Sequence, residues 1–484
     1  MAHHDFREYL HKLEQADELC HVRPEVDPHL ELAAISQRLN ERGGPTVQFH
    51  NVKGAKNGVS YVGGSMGRGM GGLWSKLAVA LEIDPAQRYV DMLENLHRRS
   101  ETPIRPIQIT EGPVKENLRG GNEVDLSDLA APTLHEGDGG ACLSTWAVTM
   151  SQEPGGGFVS WDVIPLIVAS NNTLCGHLPR GSNIRRIYDM HMAADQDMPF
   201  AVVFGAQPAV PLVAAFKLRR EGFVASEIAG ALQRQPLQLV QCETSDLLVP
   251  ATAEMVIEGV IKPGETVEFG PFSSSFGYRF EGLRRGPVFT VTAISHRDDP
   301  ILPVCPWGTP TGEIHVARGL DSDLQLKAEF ERRGAPVTGV FTPPWLAGAV
   351  VAVKTKVPYS AYSQAIGGIV RAREATKDVP YVLVCDDDID LTNPVSLFHA
   401  LVTKCHPSRD TWVTKASTAP EDAPYLTEAE RAAGQGPSMI LDCTWPLDWD
   451  RSIAVPPKVS FDQCYPKELQ EKVLKQWSQE LGFP

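Results

Sequence analysis

The sequence predicts a mixed α+β and α/β chain made of three unlike parts, marked by changes of texture along its 484 residues. Helical periodicity with one strand occupies residues up to about 105. Short β-branched runs separated by Gly, Pro and Asn fill about 105–300. A strand–helix–strand rhythm follows residue 320, the mark of βαβ units on a largely parallel sheet. A chain this long exceeds one ordinary core, so two or three domains are expected.

In chain order, Phe6, Leu10, Leu13 and Leu19 predict an amphipathic helix over 5–20. Asp27-Pro28 suits the start of a second helix, which runs through Leu30, Leu32, Ile35 and Leu39 and stops at Gly43-Gly44-Pro45. The stretch 47–52 alternates like a half-buried strand. Gly63-Gly64 and Gly67–Gly72 lack the Gly-Lys-Ser/Thr of a phosphate loop and read as flexible loop. Leu166-Ile167-Val168, Ala201–Phe204 and Val288–Thr292 read as short strands of a barrel or sandwich, interrupted by helices at 183–194 and 225–233. Val337–Phe341, Ala349–Val353 and Val382–Cys385 are the later strands; Ser363–Thr376, Val395–Val402 and Lys467–Leu481 are the later helices. The Ala/Glu/Pro-rich stretch 418–437 reads as an exposed loop.

Composition narrows the class of function. Sixty acidic and 45 basic side chains leave a formal charge of −15, which argues against nucleic-acid or anionic-membrane partners, since both need clustered positive charge. No run approaches the roughly 18 uninterrupted apolar residues of a membrane helix. The start, Met1–Phe6, has neither a basic nor an apolar leader region, so a cytoplasmic location is expected. The nine cysteines stand singly, without zinc-finger spacing, and are expected to be reduced; Cys175 and Cys305 are the two nearest the expected cleft.

The most specific stretch is 236–315. It holds Val240-Gln241-Cys242-Glu243-Thr244-Ser245-Asp246 and Val249-Pro250-Ala251-Thr252-Ala253-Glu254. Gly270-Pro271-Phe272, Ser295-His296-Arg297-Asp298-Asp299-Pro300 and Gly312-Glu313-Ile314-His315 follow. With Leu30–Val52, Asp386–Asp390 and Tyr465–Leu469, these residues resemble the UbiD family of decarboxylases, closest to its cinnamate/ferulate branch. The resemblance implies an N-terminal α/β segment (1–105), a central split β-barrel of the flavin-reductase type (106–305), a linker (306–325) and a C-terminal αβα dimerisation domain (326–484). It also implies a small carboxylic acid as substrate, a homodimer or higher oligomer, and prenylated FMN from a flavin prenyltransferase. In that family the flavin phosphate is held by a divalent metal such as Mn and by K. A glutamate–arginine–glutamate network binds the carboxylate and reprotonates the carbon.

Those functional positions are changed here. The family arginine aligns with Pro165, and the two acids align with Phe269 and Ser274. The metal ligands align with Ser160, Asn183 and Ala225. Proline offers no donor to a carboxylate. Phenylalanine and serine do not titrate near neutral pH. Hydroxyl, amide and methyl groups make a weak set for a divalent ion, so no metal site is expected. The resemblance then leaves Val163, Ile164, Pro165, His177, Arg180, Ser182, Arg185 and Arg186 as cofactor or phosphate contacts. Arg318, His315, His296 and Glu268 are the catalytic candidates, with Arg318 able to hold an anion in two parallel bonds. Each has an ordinary structural counterpart: a solvent-facing arginine, hydrogen-bonded core histidines, arginines paired with acids such as Asp189, and a Glu268 turned to the far face of its strand. Three functions fit: an atypical (de)carboxylase of an aromatic or α,β-unsaturated acid, the same fold with a cofactor-independent reaction, and an inactive binding or regulatory subunit.

Overall fold

The computed structural model describes residues 4–217 and 223–481. Asp5 caps the first helix, Phe6–Gln15, by accepting the Glu8 N–H at 2.9 Å. Its Phe6, Tyr9, Leu10 and Leu13 face is buried. The helix stops five residues short of the predicted end because Asp17 turns the chain with φ 57° and Leu19–Val22 becomes a strand. That strand pairs in parallel with Thr46–Phe49, which pairs antiparallel with Ser60–Gly63. The fourth member of this sheet, Ile301–Val304, arrives from the far end of the central region and pairs in parallel with Ser60–Gly63.

The glycine-rich stretch after Gly63 is a tied turn, not a flexible loop. Buried Glu18 accepts the N–H groups of Met70 (2.9 Å) and Gly71 (2.8 Å) and the Ser75 hydroxyl (2.7 Å). The ammonium of buried Lys76 donates to Gly64 O at 2.8 Å. A composition rich in glycine records freedom of the unfolded chain and is silent about a carboxylate 50 residues away in sequence.

Among the described residues the central region is a nine-stranded antiparallel sheet. Its two long strands, Met255–Phe269 and Arg284–His296, pair along their length, and Met198–Phe204 joins on the other side. The sheet ends at Cys142–Ser144 on one edge and Val159–Asp162 on the other. These edges do not pair, so the sheet is a half-barrel. Phe200 and Phe289 meet edge to face inside it, with centroids 5.0 Å apart. Helices Asn183–Ala193 and Ala225–Gln233 lie close to their predicted bounds.

Helix Glu313–Arg332 leads out of the half-barrel and is buried over most of its length. It delivers the chain to a five-stranded sheet whose inner strands Val350–Thr355, Tyr381–Asp386 and Gln435–Cys443 are parallel. Tyr362–Arg371 and Pro394–Lys404 are its helices. The acidic run closing the middle strand is held within the domain: Lys404 reaches Asp386 at 2.8 Å and Asp388 at 3.2 Å. Stretch 418–437 departs from the predicted loop. It contains helix Glu428–Ala433, begun by a Thr427/Glu430 capping box, and the start of strand Gln435–Cys443.

The long helix also buries acids. Asp323 accepts the Tyr89 hydroxyl at 2.6 Å, and burial pushes its carboxyl up to about 7. A raised folded value stabilises below the unfolded value of 3.8, and that stability is lost as pH rises through about 7. Asp323→Asn is therefore expected to remove a decline of roughly 4 kcal/mol between pH 4 and 8, read as a flatter pH dependence of the urea midpoint.

Candidate active site

Strand Val159–Asp162 ends at Val163-Ile164-Pro165, which turns the chain into Leu166–Ser170. Val163 and Ile164 are buried, and Ile164 O accepts the Ser144 hydroxyl at 3.1 Å. Pro165 lines a small cavity together with Asp138, Cys142, Phe272, Ser273 and Trp307. Its free volume is about 10 Å³, the space of about one water.

Phe269 and Ser274, the two positions expected to correspond to the family acids, are both packed into the half-barrel. Phe269 is buried and stacks on Phe272 at 5.8 Å between centroids. Ser274 is buried too, and its Oγ accepts the Phe276 N–H at 3.2 Å. Glu268, one residue along the strand, is exposed on the opposite face.

Segment 177–186 has its polar groups committed to neighbours. His177 Nε2 meets Glu421 Oε2 at 2.8 Å, and the Arg180 N–H donates to Glu421 Oε1 at 2.7 Å. The Arg180 guanidinium donates to Ala432 O at 2.9 Å. Arg185 pairs with Asp189 at 2.9 Å and Arg186 with Glu153 at 2.6 Å. Ser182 caps the helix by accepting the Arg185 N–H at 3.2 Å. Glu421 thus straps stretch 418–437 of the C-terminal domain onto the half-barrel.

His315, Arg318 and Ser275 form a second cluster. His315 Nδ1 accepts the Gly312 N–H at 3.0 Å, which leaves the proton on Nε2 to donate to Ser275 O at 2.6 Å. Burial, and then the nearby Arg318 charge, push the imidazole down to about 4. Arg318 donates to Ser275 Oγ at 2.8 Å. Among the described residues no carboxylate lies within ion-pair distance of Arg318; Asp378, the acid that senses its charge, is bonded to Lys217 at 2.7 Å. His296 is buried at the other end of strand Arg284–His296 and donates from Nδ1 to Arg297 O at 2.8 Å, away from this cluster.

Asp138 of the cavity wall and His135 beside it were not singled out in the sequence. His135 Nδ1 lies 3.0 Å from Ser273 Oγ and 3.2 Å from Asp138 Oδ2. Asp138 Oδ2 also accepts the His135 backbone N–H at 3.0 Å, while its Oδ1 is buried with no partner among the described residues. Gly139 holds this turn on the half-barrel: its N–H donates to Pro271 O at 2.7 Å, and a Cβ there would stand 1.9 Å from Gly270 O. The sequence signal was a histidine and an acid three apart in His135-Glu-Gly-Asp138-Gly-Gly, which reads first as a plain turn.

Comparison with known proteins agrees along the chain. Models of the 3-octaprenyl-4-hydroxybenzoate carboxy-lyase family match residues 10–96 (N-terminal domain), 106–310 (Rift-related domain) and 323–443 (C-terminal domain). Pyrrole-2-carboxylic acid decarboxylase of Pseudomonas aeruginosa is 32% identical over 99% of this chain and 98% of its own. The chain belongs to the UbiD family. Its fold superposes on vanillic acid decarboxylase of Sedimentibacter hydroxybenzoicus in closed form with a TM-score of 0.86, at 25% identity over 98% of this chain and 99% of that one. The UbiD-class enzyme HmfF of Pelotomaculum thermopropionicum, solved with FMN, gives 0.82 at 27% identity over 94% and 97%.

The donors a family metal would use do not fit one here. Ser160 Oγ is buried without a partner among the described residues, Asn183 begins a helix, and Ala225 begins another. Glu227, the nearest acid in sequence to Ala225, faces Arg105 at 4.0 Å. Among the described residues no three His, Cys, Asp or Glu side chains converge as a ligand set. Cys175 and Cys305 are buried, and burial pushes Cys175 up to about 11 and Cys305 well above its usual range, so neither is a ready nucleophile.

Two measurements follow from this geometry. Added Mn²⁺ and K⁺ are expected to leave flavin retention unchanged, by absorbance of the protein co-expressed with a flavin prenyltransferase. His315 titrates near 6.5 unfolded and about 4 folded, so the unfolded chain binds the extra proton between those values. Stability should fall by roughly 3 kcal/mol as pH drops across that window, and His315→Gln should remove that fall in urea denaturation at pH 7 and pH 4.5.

Proposed function

We propose that this chain is a carboxy-lyase that releases CO₂ from a small aromatic or heteroaromatic carboxylic acid, with Arg318 as the carboxylate anchor. The observation that carries this reading is the Arg318 guanidinium held against the Ser275 hydroxyl, which itself donates to Asp422 Oδ2 at 3.4 Å, with no carboxylate at ion-pair distance of the guanidinium among the described residues. A guanidinium bound only to a hydroxyl keeps the N–H groups that a substrate carboxylate needs. The relative named for pyrrole-2-carboxylic acid supports the substrate class. His315, neutral and bonded at both nitrogens, positions the Ser275 turn and does not exchange protons in this reading.

Prenylated FMN is the group the family implies, and when bound it supplies an electron sink. The residues here make a weak set for a metal bridge to its phosphate, Arg185 and Arg186 are paired with acids while Arg180 donates to a backbone carbonyl, and the cavity at Pro165 is water-sized. The assembly in this reading is a homodimer through the C-terminal domain, supported by the uncovered Val395, Phe398 and Val402 along helix Pro394–Lys404. The nine unpaired cysteines support a reducing, cytoplasmic setting.

The test is CO₂ release from a panel containing pyrrole-2-carboxylate and vanillate. Arg318→Ala is expected to raise KM about 10- to 100-fold, the worth of a hydrogen bond between charged groups. Arg318→Lys should recover only part, because an ammonium lacks the planar fork. No release from any acid in the panel would leave a binding subunit as the function.

A further inference from the structure

The chain between strands Thr411–Thr418 and Gln435–Cys443 leaves the C-terminal sheet and returns to it at one point. Thr418 pairs with Gln435, and the Ala419 N–H donates to Gly434 O at 3.2 Å, so residues 419–434 form a strap with a closed base. The strap is braced from within. The Arg431 guanidinium donates to Ala423 O and Leu426 O, each at 3.1 Å, and the Thr427/Glu430 capping box starts its short helix. Its apolar residues Ala419, Ala423 and Leu426 make a small cluster separate from the two main cores, and the half-barrel adds Phe276 to it. Arg431 also covers the Phe280 ring at 4.2 Å from the centroid. A segment that shares so little apolar contact with its support is held down by polar bonds and can lift as a unit.

Two consecutive acids make those bonds. Glu421 meets His177 Nε2 at 2.8 Å and accepts the Arg180 N–H at 2.7 Å. Asp422 Oδ2 accepts the Ser275 hydroxyl at 3.4 Å, and the same Ser275 Oγ accepts from Arg318 at 2.8 Å. Asp422 is therefore one hydroxyl away from the guanidinium that the carboxy-lyase reading uses as its anchor. A hydroxyl has one proton to donate, and here it goes to Asp422. A carboxylate arriving on Arg318 meets the Asp422 charge at short range, where like charges repel.

We infer that the strap 419–434 is an autoinhibitory contact: Glu421 and Asp422 occupy the anion-accepting groups of the half-barrel face it covers, and an aromatic carboxylate gains Arg318 and the Ser275 hydroxyl only when the strap lifts. This rests on the carboxy-lyase reading above, which supplies Arg318 as the anchor. The strap acts as a tethered competitor whose local concentration is set by its own base, whatever the amount of substrate. Its cost in affinity is the fraction of molecules in which it is open, so a strap open in about one molecule of ten weakens apparent binding about tenfold. The bond lengths divide the labour. Glu421, with two short bonds, is the latch; Asp422, with one long bond beside Arg318, is the group that an incoming anion displaces first. The C-terminal domain thereby regulates entry to a cleft formed by the half-barrel and the long helix.

The experiment uses protein co-expressed with a flavin prenyltransferase. The probe is benzenesulfonate, an aromatic anion that cannot lose CO₂, with benzenesulfonamide as the neutral control. Affinity is read by calorimetry and the strap by hydrogen–deuterium exchange over residues 419–434. In wild type, benzenesulfonate is expected to speed exchange across the strap roughly fivefold or more, where a ligand that closes a cleft would slow it. The sulfonamide should leave exchange unchanged. Asp422→Asn and Glu421→Gln each keep an acceptor oxygen and remove the charge, and each should bind benzenesulfonate about tenfold more tightly than wild type. Adding Arg318→Ala to Asp422→Asn should cancel that gain. Unchanged or slower exchange with the probe, or affinities of both charge-removing variants within about twofold of wild type, would overturn the strap assignment. The carboxy-lyase reading then stands if Arg318→Ala alone weakens binding about tenfold or more. Binding indifferent to Arg318→Ala, or absent from every variant, would overturn the anchor and the strap together.

Discussion

The hydrogen bond from His315 Nε2 to Ser275 O is the contact on which the cleft depends. It joins the first turn of the long helix to the turn 273–275 of the half-barrel, and it needs a neutral imidazole with its proton on one particular nitrogen. Burial enforces the neutral state and the Gly312 N–H selects the tautomer. With that bond in place, Arg318 one helical turn later falls beside Ser275 Oγ, and Ser273 falls beside His135. Arg318 and the Ser275 turn therefore share one support, while the His135–Asp138 turn has its own in the Gly139 N–H bond to Pro271 O.

Much of the architecture was legible because it rests on local patterning. Helices Ala225–Gln233 and Lys467–Leu481 have the bounds that periodicity predicts, and the short β-branched runs became half-barrel strands. The failures have non-local causes. The first helix ends early because Asp17 takes a left-handed conformation and the next residues find a sheet partner in Thr46–Phe49. Glycine content at 63–72 suggested freedom, which Glu18 and Lys76 remove from elsewhere in the chain. In stretch 418–437 composition concealed a capped helix and a strap onto His177.

The site was legible mainly by subtraction. The family resemblance directs attention to Pro165, Phe269, Ser274, Ser160, Asn183 and Ala225, and side-chain chemistry alone decides what such residues cannot do. What stands in their place is a matter of convergence across sequence distance. Ser273 and His135 are 138 residues apart, and Glu421 reaches His177 across 244. No periodicity or spacing rule reports such pairs. The arginines of 177–186 illustrate the reverse error: a cluster of cations in sequence invites an anion from outside, yet Asp189 and Glu153 already supply one from within.

The strand Ile301–Val304 closes the N-terminal sheet by lying parallel to Ser60–Gly63. During synthesis the first three strands of that sheet emerge long before this last one, and the whole half-barrel must be threaded between them. The nascent chain therefore carries an unfilled sheet edge at Ser60–Gly63 until residue 304 has left the ribosome, a late closure that delays folding and invites pairing with a neighbouring chain in the interval. A fragment ending before residue 301 would bear that open edge permanently, so the N-terminal segment and the half-barrel form one folding unit despite their different textures.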